Sequence, residues 1–201
     1  MGIKLPFWKD NNPIINYQLQ FGLIKFNHIK LKRGEINMQN NNLHANFSTL
    51  FLAIFKEARL NLKLNQSVIA STLGKTPSAW TKVENGQSQI SFDIFLGVCQ
   101  AINLQPAYAI SIVEKLTFFF NQRGFFFFYG SDDEDLLLPL ILEFYNSKGF
   151  GNTQNFVSIF AFNNTNITPT IVRYCTEPEF KKWFDNGAQE GSYELNNILG
   201  Y

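Results

Sequence analysis

The segment Gln66-Ser-Val-Ile-Ala-Ser-Thr-Leu-Gly-Lys-Thr-Pro-Ser-Ala-Trp-Thr-Lys-Val-Glu-Asn-Gly86 constrains this chain more than any other. Gln66 to Leu73 reads as a short helix with Val68, Ile69 and Leu73 inward. Gly74 stands just past its end, where a glycine takes a positive φ at little cost. Thr76 then caps a second helix, and Pro77 takes its first position, where the missing N–H removes no bond. That helix runs to about Asn85 and stops at Gly86. Ala70 is small where the two helices must cross, and Leu73, Trp80 and Val83 sit at offsets that hold one across the other. Two short helices joined this way have the geometry of a helix-turn-helix, whose second helix fits a DNA major groove.

The flanks extend the pattern to five helices. Phe47 to Leu60 carries Leu50, Phe51, Ile54, Phe55 and Ala58 at helical spacing, with Ser48 as its expected N-cap. Ser91 caps a fourth helix with Phe92, Ile94, Phe95, Val98, Cys99 and Ile102 apolar. Pro106 opens a fifth, through Ile110, Val113 and Leu116. This stretch, about residues 48–110, resembles the phage-repressor and Cro-like helix-turn-helix family, often called XRE. The family opens its second helix with Gln, follows with a Leu/Ile-Ala pair, places Leu-Gly at the turn and a Ser/Thr cap after it, and closes the third helix with Glu-x-Gly. Here these are Gln66, Ile69-Ala70, Leu73-Gly74, Thr76 and Glu84-Asn85-Gly86. Phe55-Lys-Glu-Ala-Arg59 fits the first helix, and Ser91 to Ile102 fits the fourth. Trp80 departs from the pattern, where a smaller aliphatic is usual, and its ring is expected in the core.

The resemblance implies a partner, double-stranded DNA, and a set of contacts. Gln66 is expected near phosphate at the start of its helix. Thr76, Ser78, Ala79, Thr81, Lys82 and Asn85 fall on or near the exposed side of the recognition helix. Ser and Thr suit either base type, and Ala79 or a Thr methyl suits a thymine methyl. Lys82 is the foremost phosphate or guanine contact. Lys75, in the turn, is either a contact or a solvated charge. Thr76 is a cap first, and Glu84 is expected to pair with Arg59 or Lys63 rather than with DNA. No Arg lies on the helix, so modest affinity, A·T-rich targets and a homodimer on a roughly palindromic site are expected, with repression as the output. The alternative is an antitoxin-like module that neutralises a protein partner and represses its own operon.

Composition places this unit in a larger chain. The 201 residues suit one domain or two small ones, and 45% hydrophobic with 16% charged suffices for a core. Phe (22 residues), Asn, Ile and Lys all have AT-rich codons, so their excess reads as genomic bias first. The net charge of +1 marks neither a nucleic-acid nor a membrane binder, but it is unevenly spread. Residues 1–46 carry six Lys/Arg against two Asp/Glu, residues 47–110 five against three, and residues 111–201 six against eleven. The expected fold is mainly α: an N-terminal extension or linker (1–46), a five-helix repressor-like domain (47–110), and a small α+β domain for dimerisation or sensing (111–201).

In the extension, Gln18 to Leu31 alternates weakly, as a strand or hairpin would, and Asn37 to Asn46 reads as linker. Lys32-Arg33-Gly34-Glu35 can be encoded by a purine-rich run like a ribosome-binding site. Met38 as the natural start is therefore an alternative, with residues 1–37 as translated upstream sequence. In the last third, Phe125 to Tyr129 suits a buried strand, and Asn155 to Phe162 and Thr170 to Tyr174 look strand-like. Ser131 with Asp132 to Asp135 looks like an acidic helix start rather than a metal loop. That helix should run to about Lys148, and Glu177-Pro178 should open a last one. The Phe118–Phe120 and Phe125–Phe128 clusters read as core, with a dimer interface as the alternative.

Two cysteines, Cys99 and Cys175, and two histidines argue against a disulfide framework or a metal centre. Both thiols read as structural. No arranged nucleophile, carboxylate pair or phosphate loop is visible, so neither enzyme chemistry nor a cofactor is expected. No run approaches a membrane span and the N-terminus has no signal-peptide pattern, so a cytoplasmic protein is expected.

Overall fold

The computed structural model describes residues 43–128, 134–152, 156–161 and 167–189. The strand or hairpin expected over Gln18 to Leu31 lies outside them. All of the described residues belong to one compact unit, Asn41–Tyr201. They are mainly α. A strand β1 (Leu43–Asn46) leads into helices α1 (Phe47–Asn61), α2 (Gln66–Thr72), α3 (Pro77–Glu84), α4 (Phe92–Ala101) and α5 (Pro106–Asn121). Strand β2 (Phe125–Phe128), α6 (Leu137–Asn146), a 3-10 turn (Lys148–Gly151), α7 (Thr170–Thr176) and α8 (Pro178–Asp185) follow. No single helix among the described residues is long and apolar enough to cross a membrane.

Helix α1 is the centre of the packing. Leu50, Leu52, Ala53, Ile54, Phe55 and Ala58 are all buried, more than one stripe's worth, because α3, α5 and α6 surround the helix. The expected cap at Ser48 is not used. The cap position falls two residues earlier, at Asn46, and the helix start is held from a distance: Asp135 Oδ2 accepts from the Asn46 N–H at 3.2 Å and from Thr49 Oγ1 at 2.5 Å. The other oxygen of Asp135 accepts from the N–H groups of Leu137 and Leu138, so one carboxylate holds the start of α1 and starts α6. Helix α6 thus begins at Leu137, later than the acidic run implied, and Pro139 falls harmlessly in its first turn.

Three further expectations are corrected. Residues 43–46, read as linker, form β1, which pairs in parallel with β2 from Leu43↔Phe125 to Asn46↔Phe128. The aromatic strand supplies the ladder, and four residues such as LHAN carry no pattern of their own. Thr170 to Tyr174, read as a strand from its β-branched run, is the helix α7. All five of these residues are buried among neighbouring helices, so packing overrides propensity, and Arg173 pairs with Glu177 one turn on. Residues 156–161 form no strand. Their backbone bonds go to side chains and turns: the Val157 N–H donates to Thr170 Oγ1 at 2.7 Å and the Ile159 N–H to Glu57 Oε1 at 2.9 Å. Asn155 and Phe162 lie outside the described residues.

The C-terminal core is aromatic. Phe144 of α6 stacks on Phe184 (5.3 Å between centroids, 16°) and meets Tyr174, Phe150 and Phe156. Of the Phe clusters, Phe120 and Phe125 are core, while Phe118, Phe126 and Phe128 are exposed.

Helix α1 ends in a Schellman turn, with the Leu64 N–H donating to Arg59 O and the Lys63 N–H to Leu60 O. The left-handed residue is Lys63 (φ 54°), where glycine is the usual choice. Relief of about 1–2 kcal/mol of left-handed strain should outweigh glycine's entropic cost of about 0.5–1 kcal/mol, so Lys63→Gly should raise the urea midpoint.

Candidate nucleic-acid interface

The α2–α3 pair is built by local chemistry. At the end of α2 the Lys75 N–H donates to Ala70 O (2.8 Å) and the Gly74 N–H to Ser71 O (3.0 Å), with Gly74 at φ 61°. This Schellman turn swings the chain so that Thr76 caps α3, its Oγ1 accepting from the Ala79 N–H at 3.2 Å, with Pro77 first in the helix. Ile69 and Ala70 from α2 and Trp80 and Val83 from α3 are buried against each other and α1. The Trp80 ring lies in the core as expected, although its indole N–H meets no acceptor among the described residues. Val68, expected inward, is exposed, as is Phe92 of α4, which stacks on Phe95 instead. With only seven residues, α2 buries a narrow stripe, and Ile69 and Ala70 fill it.

A buried polar network fixes α3 against its neighbours. Glu84 has no exposed side-chain surface and pairs with Arg59 Nε of α1 at 2.6 Å. Of the two partners expected for Glu84, the one used is Arg59. The guanidinium also donates to Leu64 O at 2.9 Å. The second carboxylate oxygen of Glu84 accepts from the Gln66 side-chain amide, and Gln66 Oε1 accepts from Thr81 Oγ1 at 3.0 Å. Thr81 Oγ1 is also 3.0 Å from Pro77 O, so its one hydrogen is held between two acceptors. Sequence reading anticipated the Arg59–Glu84 pair but missed its continuation through Gln66 to Thr81. The side chain of Gln66, expected near phosphate, is engaged by Glu84 and Thr81.

The remaining expected residues form an outward face. Ser78 and Lys82 are exposed, one turn apart, and Asn85, a further turn along, is half-buried beside them. Ala79, Thr81 and Lys75 are half-buried at the edges, and Thr76 is exposed at the helix start. Between residues 62 and 92 the charged side chains are Lys63, Lys75, Lys82 and Glu84. The single acid is buried and paired, so the outward charges of this stretch are all positive. Behind the face, Gly86 and the Gln87–Gln89 loop line a cleft of about 500 Å³ with Ser48, Phe128 and Leu138.

Other chemistry is sparse. Among the described residues, no three His, Cys, Asp or Glu side chains lie close enough to hold a metal ion. Burial pushes the Cys99 thiol up to about 11 and the Cys175 thiol higher still, which disfavours the reactive thiolates. Compared with protein-family models, with curated proteins and with solved structures, the chain matches none of them.

Proposed function

We propose that this chain is a sequence-specific, double-stranded-DNA-binding regulator of the XRE helix-turn-helix kind, with α3 as the recognition helix in the major groove. The observation that carries the reading is the α2–α3 pair itself. A glycine-turned crossing, locked from behind by Arg59, Glu84 and Gln66, leaves Ser78, Lys82 and Asn85 on one outward stripe. A stripe of this length spans the few base edges that one recognition helix reads, and its lysine, Lys82, suits phosphate or guanine. In this reading residues 47–110 form the DNA-binding part, and residues 111–201 hold a second copy or receive a partner. Two half-sites then multiply the modest affinity of one module.

The test is fluorescence anisotropy of the full chain on the duplex upstream of its own gene, with random duplex as competitor. Specific binding is expected. Lys82→Ala should weaken it on every sequence and flatten the salt dependence by about one unit, as the loss of one phosphate contact requires. An unchanged slope would remove Lys82 from the backbone contacts. Equal affinity for random duplex would overturn the proposal as a whole.

A further inference from the structure

Glu57 is fully buried on α1, away from the α2–α3 face, and its surroundings reveal where its proton is. Oε1 accepts from Ser158 Oγ at 2.5 Å and from the Ile159 N–H at 2.9 Å. Oε2 lies 3.2 Å from Tyr145 Oη, and that same phenol oxygen lies 2.8 Å from Ala53 O. A phenol has one hydrogen, and a backbone carbonyl and a carboxylate only accept. The shorter contact gives that hydrogen mainly to Ala53, so the 3.2 Å contact is either a weak share of it, as at Thr81, or a bond donated by a protonated Oε2, and the full burial of the carboxyl favours the second.

We propose that Glu57 is a neutral carboxylic acid in the folded chain, and that it forms a proton-linked latch joining α1 to α6 and to the 156–161 segment. The relay is complete in that form: Ser158 and Ile159 donate to Glu57, Glu57 donates to Tyr145, and Tyr145 donates to Ala53. Burial is the largest influence on the carboxyl and raises it to about 7, outweighing the opposing contacts with Ser158, Ile159 and Tyr145, each of which favours the charged form. The other ionisable groups around the latch are Lys56 of α1, whose ammonium lies 5.8 Å from the Tyr145 ring centre and is itself lowered by burial, Tyr145 of α6 and Cys175 of α7. Tyr145 and Cys175 are both pushed upward and stay neutral through this range. The segment Phe156–Ala161 carries no ionisable side chain.

The sign follows from linkage. The folded chain holds this proton more tightly than the unfolded one, so the latch contributes fully below pH 4.5. Its contribution is lost as pH rises from there through about 7. The whole interval corresponds to roughly a 300-fold change in the unfolding equilibrium constant.

The experiment is a carbon NMR titration of Glu side-chain carboxyls in the full chain, paired with urea unfolding at pH 5 and pH 8. One Glu resonance should titrate near pH 7. Ser158→Ala removes a bond to the charged form at a half-buried position, so it should move that midpoint upward and thereby assign it. Glu57→Gln keeps an acceptor for Ser158 and Ile159 and a donor for Tyr145, so it should stabilise the chain at pH 8 relative to wild type and flatten the pH dependence. A Ser158-sensitive midpoint at or below 4.5, or no Glu resonance titrating near 7, overturns the proposal whether or not the Gln variant folds. An equal effect of Glu57→Gln at both pH values also overturns it.

Discussion

Replacing Glu84 by alanine should cost about 3–5 kcal/mol of folding stability, read from urea unfolding at constant pH, because it strands a buried cation. Arg59 keeps only 11% of its side chain exposed, and its remaining bond, to Leu64 O, does not neutralise it. The amide of Gln66 loses its acceptor at the same time. The cost belongs to the stranded charge and not to the pair as such. Arg59→Met together with Glu84→Leu should therefore recover most of it, since a buried ion pair and a well-packed apolar pair of similar volume are often close in stability. A loss from Glu84→Ala below about 1 kcal/mol would mean that Arg59 swings out to water, and that its pairing does not hold α3 in place. The recovered double variant gives a second reading. It restores the fold without the link from Glu84 through Gln66 to Thr81. If that link orients α3, specific DNA binding should stay weak while stability returns.

What the sequence made legible was the structure determined within a few residues of itself. Gly74, Thr76-Pro77 and Ser91 each decide a helix end by local bonds, and those ends lie where their chemistry places them. The outward stripe of Ser78, Lys82 and Asn85 follows from helical spacing alone. The misreadings lie where a distant partner decides, although the Arg59–Glu84 pair, 25 residues apart, was anticipated. Asp135, 86 residues from the Thr49 hydroxyl it binds, does the work expected of Ser48. The partners of Glu57 are 88 and 101 residues distant. The one local sign of that site was an acid set between Phe55 and Ala58 on an apolar face. The β-branched run at Thr170 to Tyr174 pointed to a strand because propensity describes a half-buried pleated surface, whereas α7 is buried on every side.

Phe144→Ala should destabilise the chain by about 3–5 kcal/mol, the usual cost of emptying an aromatic site whose walls cannot close over it. The ring has no exposed surface, and its neighbours sit on separate elements: Tyr174 on α7, Phe184 on α8, and Phe150 and Phe156 on the turns between. Those elements are fixed by other bonds. Asn152 Nδ2 is held by Gly187 O and Ala188 O, and the Tyr174 hydroxyl donates to Asp185 Oδ1 at 2.7 Å. The cavity therefore stays open rather than collapsing. Phe126→Ala is the matched control. Phe126 lies on β2, one residue from the buried Phe125, but is 45% exposed, so its removal should change stability by no more than about 0.5 kcal/mol. With 22 phenylalanines spread through the chain, composition gives no hint of which rings matter, and burial alone separates these two. If Phe126→Ala instead lowers the stability in a manner that depends on protein concentration, the exposed phenylalanines of β2 cover an interface between copies, and the two Phe clusters divide between core and assembly.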